Sequence, residues 1–403
     1  MSNDIQQQSL LKNRNFMLLW SGQLVSWIGT EVTGIALPLV VLSLTGSYAQ
    51  AGTIAAMRGL VYVVLAIPAG VAIDRWDRRI VMIIGNIGSG VAMGSICVAM
   101  LFGHLTILQL YIVGIIEGSF FVFANLARFA SFPRVVSKEQ FPAAAAQSSV
   151  ADNIALLTGP PLGGFLFQVA GAFLTFFADA TSYFINALAL LFVTTRLQED
   201  KEETLTALLK DIREGVQWFL RQPTIRLLNI LTAGGTVVTS GLYLLVIWIA
   251  KQHHSSSIVI GLVFALGALG GIVGSLFASR IHKSFRFHTL LRAMTLLNCL
   301  IFACYAFAYN DFLLATITAA LYMVNPLYEV TTATYSAAVI PDRIRGRVLS
   351  LTRLVVLASN SLGYVITGWL LQYLGSTWTI PIFFCLLLVL ALITMFSSTL
   401  AKT

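Results

Sequence analysis

Twelve predominantly apolar stretches, each longer than twenty residues and separated by short polar turns, govern what this chain can become. They run over 16–44, 51–73, 80–102, 107–130, 143–169, 173–195, 224–250, 257–279, 289–309, 312–337, 345–373 and 377–400. About twenty apolar residues in a helix cross the ~30 Å hydrocarbon core of a bilayer. Inside that core every backbone N–H and C=O must be satisfied within the segment, so each stretch is predicted to be a helix. Only 10% of the residues are charged and the mean hydropathy is +0.84, whereas a soluble domain carries about 25% charged residues. The expected fold is therefore an all-α membrane protein with twelve transmembrane helices. An even number of spans puts both termini on one side.

The positions of lysine and arginine set the orientation. Lys12, Arg14, Arg75, Arg78, Arg79, Arg128, Arg134, Lys138, the basic residues between Arg196 and Arg221, and those of 280–286 and 343–347 all fall on one side. Lys251 stands alone on the other. Both termini are expected in the cytoplasm, in a multi-pass protein of the inner (plasma) membrane. The net charge of +8 does not form a basic face with interleaved aromatics, so nucleic acid is excluded as a partner. Cys97, Cys299, Cys304 and Cys385 lie within apolar runs without disulfide or metal spacing, and the loop pair His253-His254 belongs to no ligand cluster. No metal and no cofactor is expected. The first apolar run is too long for a signal-peptide core and reads as a retained span.

The longest connection divides the spans into six and six. Its first part, Gln198-Glu199-Asp200-Lys201-Glu202-Glu203, is charged; from 204 to 220, Leu205, Leu208, Leu209, Ile212, Val216 and Phe219 recur at helical spacing. That pattern predicts an amphipathic helix on the cytoplasmic surface. The expected organisation is a six-helix half over 1–195, a linker over 196–223 and a second six-helix half over 224–403. Glycines at corresponding places support a repeat: Gly70 and Gly274 (274 − 70 = 204), Gly159 and Gly363 (363 − 159 = 204), Gly164 and Gly368 (368 − 164 = 204).

The turn after the second span reads Gly70-Val71-Ala72-Ile73-Asp74-Arg75-Trp76-Asp77-Arg78-Arg79. So charged a turn must lie in water. Span five holds Gly159-Pro160-Pro161-Leu162-Gly163-Gly164; proline removes a helix hydrogen bond and glycine admits a close neighbour. The first spacing resembles motif A of the major facilitator superfamily, with Asp77 where the family pattern has glycine. The second resembles motif C of its proton-coupled exporters. The segments Gly29-Thr30-Glu31 with Ala36-Leu37-Pro38-Leu39, and Ile340-Pro341-Asp342-Arg343-Ile344-Arg345-Gly346-Arg347, are similar to the macrolide-efflux and enterobactin-exporter group of drug:proton antiporters. The resemblance covers the whole chain. It implies that Gly70 lets helix 2 approach helix 11, and that Asp74 meets the N-terminal end of helix 11 while Arg75, Arg78 and Arg79 hold it. It also implies a pivot at Gly159, Pro160, Gly163 and Gly164. The second copy of the gate sequence, Gly274 to Arg280, lacks the acid.

Ionisable residues inside spans are costly and default to functional candidates. They are Glu31, Arg58, Glu117, Asp152, Asp179 and Glu329. The family fold implies that helices 1, 4, 7 and 10 line a central cavity, which takes in Glu31, Glu117 and Glu329. Asp179 is expected at the outer interface as a cap. Counted from the outer ends of their spans, Arg58, Glu117 and Glu31 lie at similar depth, within roughly 10 Å at ~1.5 Å per residue. One arginine holds one carboxylate ionised, so the other acid lacks a full counter-charge and becomes the one able to exchange a proton.

The expected activity is proton-coupled export of a small amphipathic molecule of drug, macrolide or siderophore type by alternating access. The expected partners are that substrate, protons and membrane lipids, and the protein is expected to be a monomer. The rivals are a facilitator or lysolipid flippase without proton coupling, and a receptor or scaffold that binds without turnover. The chain has no G-x-x-x-x-G-K-[ST] phosphate loop, and no nucleophile, base and oxyanion donors fall together as an enzyme requires. The orientation predicts that a cysteine introduced near Lys201 resists an impermeant thiol reagent in intact spheroplasts, whereas one near Lys251 reacts. The opposite labelling pattern would invert the topology.

Overall fold

The computed structural model describes residues 10–137, 139–195, 197–198 and 214–397. Every regular element among them is helical. The long helices are α1 (Arg14–Thr45), α2 (Tyr48–Arg75), α3 (Arg78–Leu101), α4 (Ile107–Val135), α5 (Phe141–Leu191), α6 (Pro223–Gln252), α7 (Ser257–Ser284), α8 (Phe287–Ala303), α9 (Asp311–Val339) and α10 (Asp342–Phe396). All ten are long and apolar enough to cross a membrane.

Two of the ten cross twice. At ~1.5 Å per residue, a straight helix the length of α5 would reach about 75 Å, far beyond the ~30 Å core. The chain turns within α5 at Gly171 (φ 71°, ψ −172°) and within α10 at Gly375 (φ 63°, ψ −175°). Only glycine adopts this backbone without strain. The turns fall in the gaps predicted at 169–173 and 373–377, so ten helices make twelve crossings among the described residues. The two glycines also keep the repeat offset, 375 − 171 = 204.

Polar caps start the helices where the sequence supplies them. Thr106 accepts from the Gln109 amide at 3.2 Å and Asn310 from the Leu313 amide at 2.8 Å. The expected amphipathic helix of 204–220 lies largely outside the described residues. Its end, 214–221, is helical, and Glu214 there accepts from Arg343 and Arg347 at the start of α10.

The described residues before 46 and from 57 to 198 form one compact unit; residues 46–56 and 214–397 form another. In the first, α1 lies along both arms of α5. A Cβ built on Gly163 would stand 2.6 Å from the Val32 carbonyl oxygen and 3.0 Å from its Cα, and one on Gly159 would overlap the Glu31 side chain. In the second, α6 packs on α10, where a Cβ on Gly363 would overlap Ser240, and α7 packs on α9, where one on Gly274 would overlap the Met323 carbonyl. The start of α2, up to residue 56, belongs to this second unit. A Cβ on its Gly52 would stand 3.1 Å from the Gly368 Cα, the Tyr48 amide donates to Gln372 Oε1 at 2.8 Å, and the Tyr48 ring lies 4.5 Å from that of Trp248.

Not every glycine is there for packing. A Cβ on Gly70 would meet no atom within 4 Å. Overpacking a helix contact costs about 1–3 kcal/mol, so Gly163→Val should lower the melting temperature of the purified protein by several degrees, while Gly70→Ala leaves it unchanged within about a degree. Equal losses at the two positions would contradict this account of the α1–α5 contact.

Candidate functional site

The site begins with two glycines one helical turn apart. Gly114 and Gly118 on α4 face α2: their Cβ positions would lie 3.3 Å from Met57 Cβ and 3.2 Å from Arg58 Cα. This small-residue spacing lets two membrane helices approach closely. It sets Glu117, next to Gly118, against Arg58, and the Arg58 Nη2 to Glu117 Oε1 distance is 3.2 Å. Glu117 is only 4% exposed. The Tyr183 hydroxyl on α5 donates to the same Glu117 oxygen at 2.8 Å, and Thr30 on α1 lies 3.3 Å from that hydroxyl. The guanidinium sits 3.6 Å from the centre of the Phe121 ring, whose face attracts a cation. Four helices thus converge on one ion pair.

Glu31 takes a different position. It stands on α1 against Gly159 and lies within electrostatic range of both Arg58 and Asp152. Its carboxylate makes no ion pair and accepts no hydrogen bond among the described residues. Asp152 is exposed on α5, two turns before Gly159. Asp179, expected as an interfacial cap, is instead fully buried. It accepts from Thr33 Oγ1 at 2.7 Å and lies within electrostatic range of Glu117 and Arg58. The correction has a simple cause. Asp179 is two turns past Gly171, and that arm of α5 turns it onto α1, where Gly29 leaves room for it. Three carboxyls, from Glu31, Glu117 and Asp179, therefore surround one arginine.

Arg128 was counted with the cytoplasmic bases, yet it is a buried residue of α4, 6% exposed. Its guanidinium lies 4.9 Å from the Trp27 ring and 4.3 Å from Phe129, and it donates to Asn125 Oδ1 at 3.2 Å. Aromatics at Phe129 and Phe132, one and four positions on, were the signal for a sheltered cation. Arg58 and Arg128 share a cavity of about 30 Å³ with Ser26, Thr30 and Asn86, large enough to hold water.

The charged turn of 70–79 is tied down within its unit. Arg78 lies 3.7 Å from Asp74 and donates to the carbonyls of Ala130 at 2.8 Å and Leu197 at 3.3 Å. Arg79 donates to the Leu190 carbonyl at 3.0 Å and to that of Leu191, while Arg75 is exposed. Asp77, the departure from the family pattern, is the N-cap of α3: it accepts from the Arg79 amide at 2.8 Å and the Ile80 amide at 3.2 Å. In the exporter-like stretch, Gly159 and Gly163 hold α1, Gly164 is buried, and Pro160 and Pro161 lie inside the helix.

Glu329 belongs to the second unit. It is an exposed residue of α9 on the wall of a cavity of about 280 Å³. Among the described residues no group of three or more His, Cys, Asp or Glu could hold a metal ion.

Comparison with known proteins gives this arrangement its context. The enterobactin exporter EntS of Citrobacter koseri is 26% identical over 281 residues, which span 69% of this chain and 66% of that protein. EntS of Salmonella typhimurium is 27% identical over 283 residues, 69% of this chain and 67% of its own. Among solved structures, a bacterial homologue of the human lysosomal transporter Spinster aligns over 97% of this chain and 98% of its own, with a TM-score of 0.79 at 15% identity. A bacterial homologue of the iron transporter ferroportin aligns over 96% and 99%, with a TM-score of 0.75 at 16% identity. The model of the transmembrane secretion effector family matches residues 6–403, and the chain belongs to that family of major facilitator exporters.

Proposed function

We propose that this membrane exporter couples the outward passage of a small amphipathic molecule to proton entry across the inner membrane. In this reading two halves, 1–195 and 224–403, joined by 196–223, expose a central site alternately to each side, with both termini in the cytoplasm. The enterobactin exporters among its relatives put siderophores beside drugs and macrolides in the substrate class. No cofactor enters the scheme.

One observation carries the proton coupling. Arg58 is engaged by Glu117, and Tyr183 closes the pair, while Glu31 remains nearby without a partner of its own. Negative charge is left uncompensated in a medium that penalises it, and a proton is the smallest counter-charge available. A substrate or a conformational change that shifts Arg58 toward or away from Glu31 then changes proton affinity there. That is the linkage an antiporter needs. The Thr30–Tyr183–Glu117 chain of hydroxyls offers a route between α1 and the ion pair.

The test is transport in proteoliposomes of a panel of antibiotics, siderophores and lysolipids, with and without a pH gradient. Glu31→Gln should abolish gradient-driven export and leave passive exchange measurable; full gradient-driven export by Glu31→Gln would overturn the assignment. Flux indifferent to the gradient in the wild type would favour a facilitator or flippase, and binding without flux a receptor. Asp74→Asn should cut transport about tenfold without loss of folded protein, since a partly buried charge contact is worth about 1–2 kcal/mol. Unchanged transport by this variant would reduce the 70–79 turn to a topology signal.

A further inference from the structure

The second unit contains a cavity that the ionisable centre of the first unit does not use. It measures about 280 Å³ and lies among α6, α8, α9 and α10. Leu231, Phe302, Leu387 and Leu390 give it an apolar wall. Among the described residues lining it, Glu329 is the only charged one. The base one turn away on α8, Arg292, already donates to the Thr394 carbonyl at 3.1 Å.

Three threonines along the wall present hydrogen-bond acceptors to the cavity. Thr332 donates its hydroxyl to the Tyr328 carbonyl at 2.9 Å, and Thr239 to the Thr236 carbonyl at 3.3 Å. Thr295 bonds to the Leu291 carbonyl at 3.0 Å and to Thr394. A threonine whose proton is committed to the helix behind it shows the cavity only lone pairs. Tyr328 and Thr232 lie 3.0 Å apart, one hydroxyl donating to the other, and the accepting hydroxyl keeps a proton of its own. The amide oxygen of Asn298 is buried without a hydrogen-bond partner. A buried acceptor left unmatched is unfavourable, but this oxygen is closed off from the cavity surface, so a bound molecule does not reach it without a shift of the side chain.

We propose that this cavity is a binding site for protonated amines with an apolar body, with the ammonium group set against Glu329. The oxygens of the lining threonines receive further N–H donors, and the apolar portion lies on Leu231, Phe302, Leu387 and Leu390. The site deepens the exporter reading by naming a substrate class, and its transport role rests on that reading. Gly235 supplies a clean way to close it. Gly235 lines the cavity, and a Cβ there would meet no atom within 4 Å. A larger side chain at 235 therefore grows into the cavity without moving a helix.

The experiment uses the full-length protein in lipid nanodiscs. The probes are dansylcadaverine, a primary amine on an apolar fluorophore, and its N-acetyl derivative, which keeps the body and loses the charge. Empty nanodiscs correct for partition into lipid. The wild type should bind the amine at least about tenfold more tightly than the acetamide, as expected for a hydrogen-bonded charge. Glu329→Gln should erase that preference, and Gly235→Leu should abolish binding of the amine. Asn298→Trp fills the cavity from α8 and serves if Gly235→Leu does not fold. A retained tenfold preference in Glu329→Gln, or amine affinity within about twofold of wild type in either folded blocking variant, would overturn the site. Amine binding that obeys these variants without gradient-driven export would uphold the site and remove the exporter reading. Export of the amine that Gly235→Leu leaves unchanged would remove the site and keep the exporter reading.

Discussion

An arginine set among membrane helices needs a permanent partner, and much of the first unit is arranged to supply one. Arg58 cannot shed its charge, so leaving it alone in hydrocarbon would cost several kcal/mol or more. Glu117 answers the charge, Tyr183 holds Glu117, and Phe121 covers the guanidinium. Each of these contacts demands helices closer than bulky side chains allow. Hence Gly114 and Gly118 where α4 meets α2, and Gly29, Gly159 and Gly163 where α1 meets α5. The glycines and the ion pair belong to one argument. Hydrocarbon offers helices no hydrophobic reason to associate, so close packing and polar contacts must hold the bundle together.

The same economy explains the charged turn. Arg78 and Arg79 do more than set a charge at the turn, since they donate to carbonyls of α4 and α5 and of the segment that follows α5. The Leu190 and Leu197 carbonyls lie at or just beyond the end of α5, where the backbone lacks internal donors. Asp77 performs the complementary task at the start of α3. A short turn thus closes helix ends of opposite polarity, which accounts for its mixture of acids and bases.

Much of this was legible in the residues. Span positions followed from hydropathy because a bilayer has a fixed thickness, and the turns at Gly171 and Gly375 fall where the apolar runs break. The nearness of Arg58 and Glu117 followed from depth alone, since the rise per residue is constant. Rotation about the helix axis was not legible. Asp179 was taken for a cap because its depth placed it near the outer surface, but its face of α5 turns it inward against Thr33. Arg128 was assigned to the interface by its place near the end of a span; Phe129 and Phe132 beside it were a cue, and the facing rings of Trp27 and Phe129 show that it is sheltered. The cavity beside Glu329 draws its lining from four helices far apart in the chain, and no local pattern announces such a space.

The central claim is that Arg58 is bound to Glu117 and leaves Glu31 uncompensated. Double-mutant cycles on the thermal unfolding of the purified protein measure it most directly, comparing Arg58→Gln with Glu117→Gln and Arg58→Gln with Glu31→Gln. Removing one member of a buried pair is far more harmful than removing both. The Arg58–Glu117 cycle should therefore show a coupling of about 2 kcal/mol or more, and the Arg58–Glu31 cycle about 1 kcal/mol or less. A coupling of Arg58 to Glu31 that equals or exceeds its coupling to Glu117 would contradict the account.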